Sequence, residues 1–537
     1  MTFDVVIHGG TVLDGTGRAA FGADVAIHGD RIAYVGPPDA LAGAGVRLLI
    51  DATGRYVAPG FIDIHTHSDR SILLNPRMES KVRQGVTTEV GGNCGSGVAP
   101  ARRAAQEQAR REAARDGHPG SWPTMAEYLA YVQRQGIAGN YATWVGHGTL
   151  RASVIGYEMR PPSDDELREM QALLREALEA GAFGLSTGLI YVPSGYAGTD
   201  ELVALAEVVR EYGGVYASHI RNEGSRLLEA VDEAIEIGRR AGVPVQIAHH
   251  KASGKPNWGR VNDSLASMER ARAAGVDVAC DQYPYVASST GLSSLLPKWA
   301  LEGGRQRLVA RLHDPAIRQR IRDEMIADRP DLATLDGASH WHQVLVARCR
   351  GNRALEGKRL GQIAIEQASD PFDLCFDLLI QEDGYVGCVF FSMCEEDVQT
   401  VMRWRYTMIG SDASSVAPYG TLAEGKPHPR AYGTFARVLG RYVRELGVLT
   451  WEEAIHKMTG LPAARLGLAG RGRIAPGAYA DVVVFDPETV RDCATFQEPH
   501  QYAAGIEHVL VNGVAVVSHG EHTGALPGRV LRHPDAA

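Results

Sequence analysis

The sequence predicts an α/β protein, a (β/α)8 TIM barrel with a small β-sandwich domain built from both chain ends. Three observations lead there. Short apolar runs alternate with amphipathic helical stretches through the body of the chain, the pattern of a parallel sheet. Ligand-type residues recur where those runs stop, at His65 and His67, Cys94, His219, His249 and Asp412, and barrel enzymes place their chemistry at the C-terminal ends of strands. Both termini instead read as glycine-punctuated hairpins with no room for barrel helices.

Taken in order, residues 1–57 hold the β-like runs DVVIHGGTVLDG, DVAIHGDRIAYVG and VRLLIDATGRYVAPG and supply the first part of the sandwich. The barrel spans 58–470, with strands expected at 61–67, 87–94, 140–147, 182–188, 214–219, 244–249, 276–283 and 406–412. Two intervals have the length of a βα unit: 29 residues from His65 to Cys94 and 30 from His219 to His249. ARRAAQEQARREAARDG, ahead of strand 3, reads as a charged surface helix. The segment between strands 7 and 8 is too long for one crossover. About 286–348 of it is expected to be an inserted lobe over the barrel mouth, since long loops are usually functional lids. From 471 to 537 the hairpin idiom returns in GRIAPGAYADVVVFD and IEHVLVNGVAVVSHG, completing the sandwich.

Composition narrows the classes. Apolar residues are 45% and charged residues 22%, ordinary for a folded soluble enzyme. A formal net charge of −9 gives no electrostatic case for nucleic acid. The N-terminus lacks the basic and long apolar regions of a signal peptide, and no apolar run approaches the roughly 20 residues that span a bilayer. The seven cysteines are scattered, with no CxxC, which argues against a disulfide framework. The expectation is a cytoplasmic protein with neither nucleic-acid nor membrane partners.

The residue types point to metal hydrolysis. In VAPGFIDIHTHSD, His65 and His67 are two apart, so both leave a strand on one side and can grip one ion. Cys94 sits in the flexible turn GGNCG, not in an apolar core strand. Thiolate with imidazole favours zinc over magnesium or calcium. Three protein ligands leave a fourth position for water, whose pKa zinc lowers to about 7. Asp412, where IGSDAS opens into a loop, would carry the proton. Asp63 and Asp69 are placed to orient ligand histidines. His147 and His250 are candidates for supporting or oxyanion-side groups, and Glu223 for a supporting charge.

GGNCGSGVAP, SHIRNEG, IAHHK, DQYPYVASSTGL, KPHPRAYGTFARVLGRYVRE and RGRIAPGAYADVVVFDP, together with the HTH motif, resemble the N-acyl-D-amino-acid deacylases (D-aminoacylases) of the amidohydrolase superfamily. The resemblance runs from about residue 3 to about residue 515. HTH and the final motif mark only the superfamily; GGNCG, SHIRNE, AHHK and KPHPRAYGTF are specific. The resemblance implies one tightly held zinc on Cys94, His219 and His249. It implies a second, weaker position formed by His65 and His67 and sharing Cys94, with Asp412 as general acid/base. It assigns the substrate α-carboxylate to Lys251, Tyr283 and Arg430, with Tyr191 and Ser288 or Ser289 also contacting substrate. The implied reaction is hydrolysis of N-acyl-D-amino acids, small-molecule partners whose stereochemistry no single sequence feature reveals.

Two rivals remain in view. Cyclic amidohydrolases such as hydantoinases or dihydroorotases share the barrel, but bridge two metals with a carbamylated lysine ending strand 4, and AFGLSTGLIYV has no lysine. A metal-free scaffold is disfavoured by the complete ligand set. For the substrate side chain, the loop after strand 7 offers Leu292, Leu295 and Leu296 and no cation before Lys298. That predicts neutral or hydrophobic D-amino acids, because a buried carboxylate without a cationic partner is costly.

Overall fold

The computed structural model describes residues 2–38, 41, 44–117, 120–335 and 339–534. Among them, eight parallel strands form a ring. They are Phe61–Asp63, Val86–Gly91, Asn140–Thr143 continuing as Val145–Gly146, Gly184–Gly188, Val215–His219, Val245–Ile247, Val278–Gln282 and Thr407–Ile409. Each pairs with the next, and a parallel bridge from Thr66 to Ala413 closes strand 1 on strand 8. Strand 3 breaks at Trp144, whose N–H is donated to Gly91 O at 3.0 Å. His147 therefore opens the helix His147–Val154 and does not end a strand.

The crossover helices follow from local sequence. Leu227–Ala241 buries Leu227, Ala230, Val231, Ala234, Ile237 and Ala241, a 3–4 spacing that makes one apolar face. Gly242 ends it at φ +72°, a conformation glycine adopts without strain. Asp164–Glu179 begins in a capping box between Ser163 and Glu166, which satisfies two otherwise orphaned donors.

A single ladder runs through both chain ends. Thr2–Val12 pairs with Phe21–His28, Gly45–Asp51 and Tyr56–Pro59. Tyr56–Pro59 pairs with Val482–Phe485, which continues to Ile506–Val511 and Val514–Ser518. Inward-facing residues from both ends, among them Ile7, Val25, Val482 and Leu510, share one core. The C-terminal tail departs from the expected sandwich. Val530 bridges Tyr141 of barrel strand 3, and His533 N–H reaches Gly181 O, so the last described residues seal the barrel floor.

The inserted lobe is also longer than 286–348. Ser288–Gly291, Val344–Arg348 and Gly387–Phe390 make a three-stranded antiparallel sheet. Its core joins Leu292, Leu308 and Ile321 to Phe372, Phe376 and Phe390. The helices Leu360–Glu366 and Pro371–Gln381 read as barrel crossovers by pattern alone, yet their apolar faces are claimed by the lobe. No helix among the described residues is long and apolar enough to cross a membrane.

One buried ion pair ties the first turn of the barrel to its last. Lys81 Nζ, fully buried, lies 2.8 Å from Asp63 Oδ2 and 3.0 Å from Ala413 O, while Asp63 Oδ1 accepts the Ser411 N–H at 2.8 Å. Replacing one partner strands the other's charge in the core, which costs about 3–5 kcal/mol. Lys81→Met is therefore expected to lower the thermal unfolding midpoint clearly, as read by calorimetry. An unchanged midpoint would show that the pair does not hold the ring closed.

Candidate metal and substrate site

The ladders stop short of the residues that matter. Strand 1 ends at Asp63, strand 2 at Gly91, strand 6 at Ile247 and strand 8 at Ile409, leaving His65, His67, Cys94, His249 and Asp412 just beyond. His219 is the last residue of its strand. Cys94, His249 and Asp412 have φ of +52°, +36° and +51°, left-handed backbone that costs an L-residue about 1–2 kcal/mol. The strained turn swings each side chain out of the strand's alternation and over the barrel mouth. Strand ends were the expectation; strained turns are the finding.

These turns bring the donors together. His249 Nε2 lies 2.8 Å from His219 Nδ1 and 3.4 Å from Cys94 Sγ. Cys94 Sγ is 3.3 Å from His65 Nε2, and Asp412 Oδ1 is 3.5 Å from His65 Nε2 and 3.0 Å from His67 Nε2. Ligand atoms of His65, Cys94, His249 and Asp412 all lie within 4.8 Å of one another, as do those of His219, Glu223 and His249. His219 Nε2 is buried without a hydrogen-bond partner. Sulfur and ring nitrogen converging from three strands form a donor set that fits zinc. Burial alone would raise the Cys94 thiol, but His65 and His249 beside it hold it well below its usual value. Burial likewise works against ionised Asp412, and Arg430 with His249 outweighs it, keeping the carboxyl well below the usual range.

The substrate-side residues divide. Arg430 Nη1 is 2.8 Å from Asp412 Oδ2, its Nη2 donates to Ser289 O at 3.3 Å, and its guanidinium lies 4.5 Å from the Tyr283 ring centre. The Tyr283 hydroxyl is buried and unpartnered. Tyr191 accepts from Thr290 Oγ1 at 3.0 Å, with its ring 5.0 Å from that of His219. Lys251 turns to Glu223 Oε1 at 2.6 Å and His249 Nδ1 at 2.7 Å. Ser289 lines the central cavity while its hydroxyl is donated to Cys388 O. Ser288, next along the strand and so on its other face, is not among the lining residues.

Several expectations need correction. Leu292, Leu295 and Leu296 belong to the lobe's own core, because the short helical turn Leu292–Leu295 rotates them inward. Thr290, Ser293, Ser294, Arg348 and Tyr385 line the cavity there instead. Lys298 points away, onto Leu189 O at 2.7 Å. Neither Asp63 nor Asp69 orients a ligand ring: Asp69 Oδ1 accepts from Gly92 N–H at 2.8 Å and Tyr141 Oη at 3.0 Å. His250 faces Ser264 Oγ at 2.8 Å, and burial pushes it down to about 3, a neutral structural group.

The sequence reading missed Asp281 and left Glu223 undecided. Asp281 Oδ1 lies 3.0 Å from His65 Nδ1 and accepts the His249 N–H at 2.7 Å, while its Oδ2 accepts from Gln246 at 2.9 Å. Asp281 lies in the strand Val278–Gln282, and nothing in its local sequence marks its partners. Glu223 Oε1 is 3.0 Å from His249 Nδ1. His147 does bear on the site, indirectly. It links Ser194 Oγ at 2.7 Å to Glu201 Oε1 at 3.0 Å, bracing the loop that carries Tyr191.

Above the donors opens a cavity of about 720 Å3, lined among others by His67, Cys94, Tyr191, Ser289, Asp412 and Arg430. Ring, mouth and donor set together define a (β/α)8 metal-dependent hydrolase. The sequence profile of the amidohydrolase family matches residues 48–517. The chain is 39% identical to a D-aminoacylase of Alcaligenes xylosoxydans xylosoxydans, over 98% of this chain and 97% of that one. It is 41% identical to the N-acyl-D-glutamate deacylase of the same organism, over 98% and 96%. It also superposes on a Bordetella bronchiseptica N-acyl-D-glutamate deacylase, solved with zinc and a phosphonate mimic of the tetrahedral intermediate. There the TM-score is 0.83 at 36% identity, covering 99% of this chain and 100% of the other. The chain belongs to the amidohydrolase family, and within it to the N-acyl-D-amino-acid deacylases.

Partners that fix a ligand's orientation typically contribute 10–100-fold in metal affinity. Asp281→Asn, which keeps the shape and removes the charge on His65, is expected to weaken binding of a second zinc equivalent by about that range in chelator competition. Unchanged affinity would reduce Asp281 to a packing role.

Proposed function

We propose that this chain hydrolyses the amide bond of N-acyl-D-amino acids, giving a carboxylate and a free D-amino acid. The observation that carries the reading is the convergence of His219 and His249 on Cys94, which lines one cavity with the Asp412–Arg430 pair. In this reading Cys94, His219 and His249 hold one zinc tightly, and His65 and His67, with Cys94, offer a weaker second position. When bound, zinc supplies Lewis acidity, polarising the acyl carbonyl and making water a nucleophile near neutral pH. Asp412 takes the proton from the attacking water and delivers it to the departing amine nitrogen. His67, 3.0 Å from Asp412, fixes the carboxylate that moves the proton. Arg430 reads the substrate α-carboxylate with a planar fork suited to it, helped by the unpartnered Tyr283 hydroxyl. Lys251 sets the charge around His249 and Glu223 at the edge of the same site. Tyr191 and Ser289 shape the wall around the amide, and Ser288 has a supporting part only.

The wider assignment is of one piece with this. The chain ends form a sandwich domain, the barrel carries the chemistry, and the lobe covers it. The seven unpaired cysteines suit a reducing cytoplasm, and the partner is a small N-acyl amino acid. Strand 4, Gly184–Gly188, has no lysine, which favours this reading over a cyclic amidohydrolase.

Asp412→Asn should keep its zinc and fall below about 1% of parent activity, a barrier rise above roughly 2.7 kcal/mol. Cys94→Ala, His219→Ala and His249→Ala should each lose the tight zinc by metal analysis, while His65→Ala and His67→Ala retain it. Equal loss across all five would point to an obligatory binuclear site.

N-acetyl-D-methionine should be cleaved and its L-enantiomer left intact; the reverse preference would defeat the substrate assignment but leave the metal chemistry standing. Neutral side chains are still expected over acidic ones, on new grounds. On the wall where the leucines were expected, Arg348 is paired with Glu424 at 2.8 Å, and Lys298 is held by backbone carbonyls. Glu424 also holds Arg350 at 2.9 Å, so what keeps Arg348 and Lys298 from a second carboxylate is that both side chains are tethered by these contacts. A higher kcat/KM for N-acetyl-D-glutamate than for N-acetyl-D-leucine would show that one of these pairings opens.

A further inference from the structure

The cavity has two chemically different walls, and the ring order of the strands sets them opposite each other. Arg430, Ser289 and Thr290 line it from the segments after strands 8 and 7. Strand 3 lies across the ring from strand 7, and the loops after strands 2, 3 and 4 build the facing wall. That wall carries the larger share of the apolar lining: Val98, Ala105 and Ala109 follow strand 2, Ala152 follows strand 3, and Ile190 and Val192 follow strand 4, with Ser96, Gln108 and Thr149 between them. Ile190 and Val192 are only half-buried, so apolar surface is presented to the cavity itself. The wall starts at Cys94 and is rigid there. Thr149 N–H is donated to Gly95 O at 3.2 Å, and Gly97 N–H to Thr149 Oγ1 at 2.9 Å. Its far end is closed by charge, where Glu112 meets Arg70 at 2.6 Å and Arg305 at 3.5 Å.

A substrate held at the donor cluster has two ends. Its α-carboxylate needs a cation, and Arg430, 2.8 Å from Asp412, is placed beside the donors, whereas Arg70 and Arg305 lie at the far end with Glu112. The acyl chain leaves the scissile carbon in the opposite direction, toward the apolar wall. The cavity, about 720 Å3, falls within the roughly 300–1,000 Å3 of sites for drug-sized ligands, and an acetyl group would leave Ile190 and Val192 uncovered. We propose that this wall is an acyl-chain subsite and that the enzyme prefers linear apolar N-acyl groups longer than acetyl. The inference rests on the hydrolytic reading above and specifies its acyl substrate.

The test is kcat/KM of the zinc-loaded, full-length protein on N-acetyl-, N-butanoyl- and N-hexanoyl-D-leucine. Each methylene buried on the wall is worth up to about fourfold, so at least about a tenfold rise from acetyl to hexanoyl is expected. Ala109→Phe, which fills the wall, and Ile190→Ser, which makes it polar, should each bring the hexanoyl-to-acetyl ratio down toward one. Cleavage of N-acetyl-D-leucine without gain on lengthening overturns the subsite and leaves the deacylase reading intact. A ratio that neither variant changes does the same, even if the parent favours hexanoyl, because the chain must then bind elsewhere. No cleavage of any member of the series overturns both.

Discussion

Everything at the barrel mouth hangs on one buried carboxylate. Asp281 takes the His65 ring on one oxygen, together with the His249 backbone N–H, and Gln246 on the other. It therefore couples strand 1, strand 6 and its own strand 7 at the level where the donors converge. Its charge has a direct counterpart. Burial works to raise the Asp281 carboxyl, but His65, with help from His249, keeps it below its usual value. A carboxylate so placed does two things at once: it fixes which nitrogen His65 turns toward Cys94, and it holds the strained turn at His249, whose φ is +36°, from relaxing.

The other polar clusters repeat this logic at different depths. Below the site, Lys81 and Asp63 lock the junction of strands 1 and 8. At the site's edge, Glu223 sits between Lys251 and His249, so the ammonium is compensated and does not repel a metal. Beside it, Glu201 gathers His147 and Arg151 under the loop bearing Tyr191. Isolated buried charges would be prohibitive, and each here is paired and hydrogen-bonded as that penalty demands. The left-handed turns at Cys94, His249 and Asp412 survive because these clusters over-determine them.

How much of this was legible in the sequence depends on the range of the interaction. His65, His67, Cys94, His219, His249 and Asp412 could be read because strand runs and their ends are local patterns. The eight barrel strands follow from the same periodicity, apart from the break at Trp144, where strand 3 passes from pairing with strand 2 to pairing with strand 4. Asp281 was missed because a lone aspartate in DQYPY carries no local mark of partners on strands 1 and 6. The lobe was cut short at 348 because Phe372 and Phe376 look like any crossover helix until their partners Leu308 and Ile321 are known. Leu292, Leu295 and Leu296 were assigned to the substrate for the same reason: apolarity says that a side chain is buried, not which core claims it.

The missing strand-4 lysine has a steric explanation as well as a compositional one. Strand 4 ends at Gly188, and a Cβ there would run into the carbonyl of Cys94 and the ring of Tyr191. Gly95 is also tight, its missing side chain facing the Gly188 N–H. The strand-2 turn thus occupies the space through which a lysine from strand 4 would rise. A side chain at Gly188 would require moving Cys94. The Cys94 sulfur lies between His65 and His249, at 3.3 and 3.4 Å. Two facing glycines, Gly95 and Gly188, therefore set how closely the strand-2 turn approaches the end of strand 4, and with it the position of Cys94.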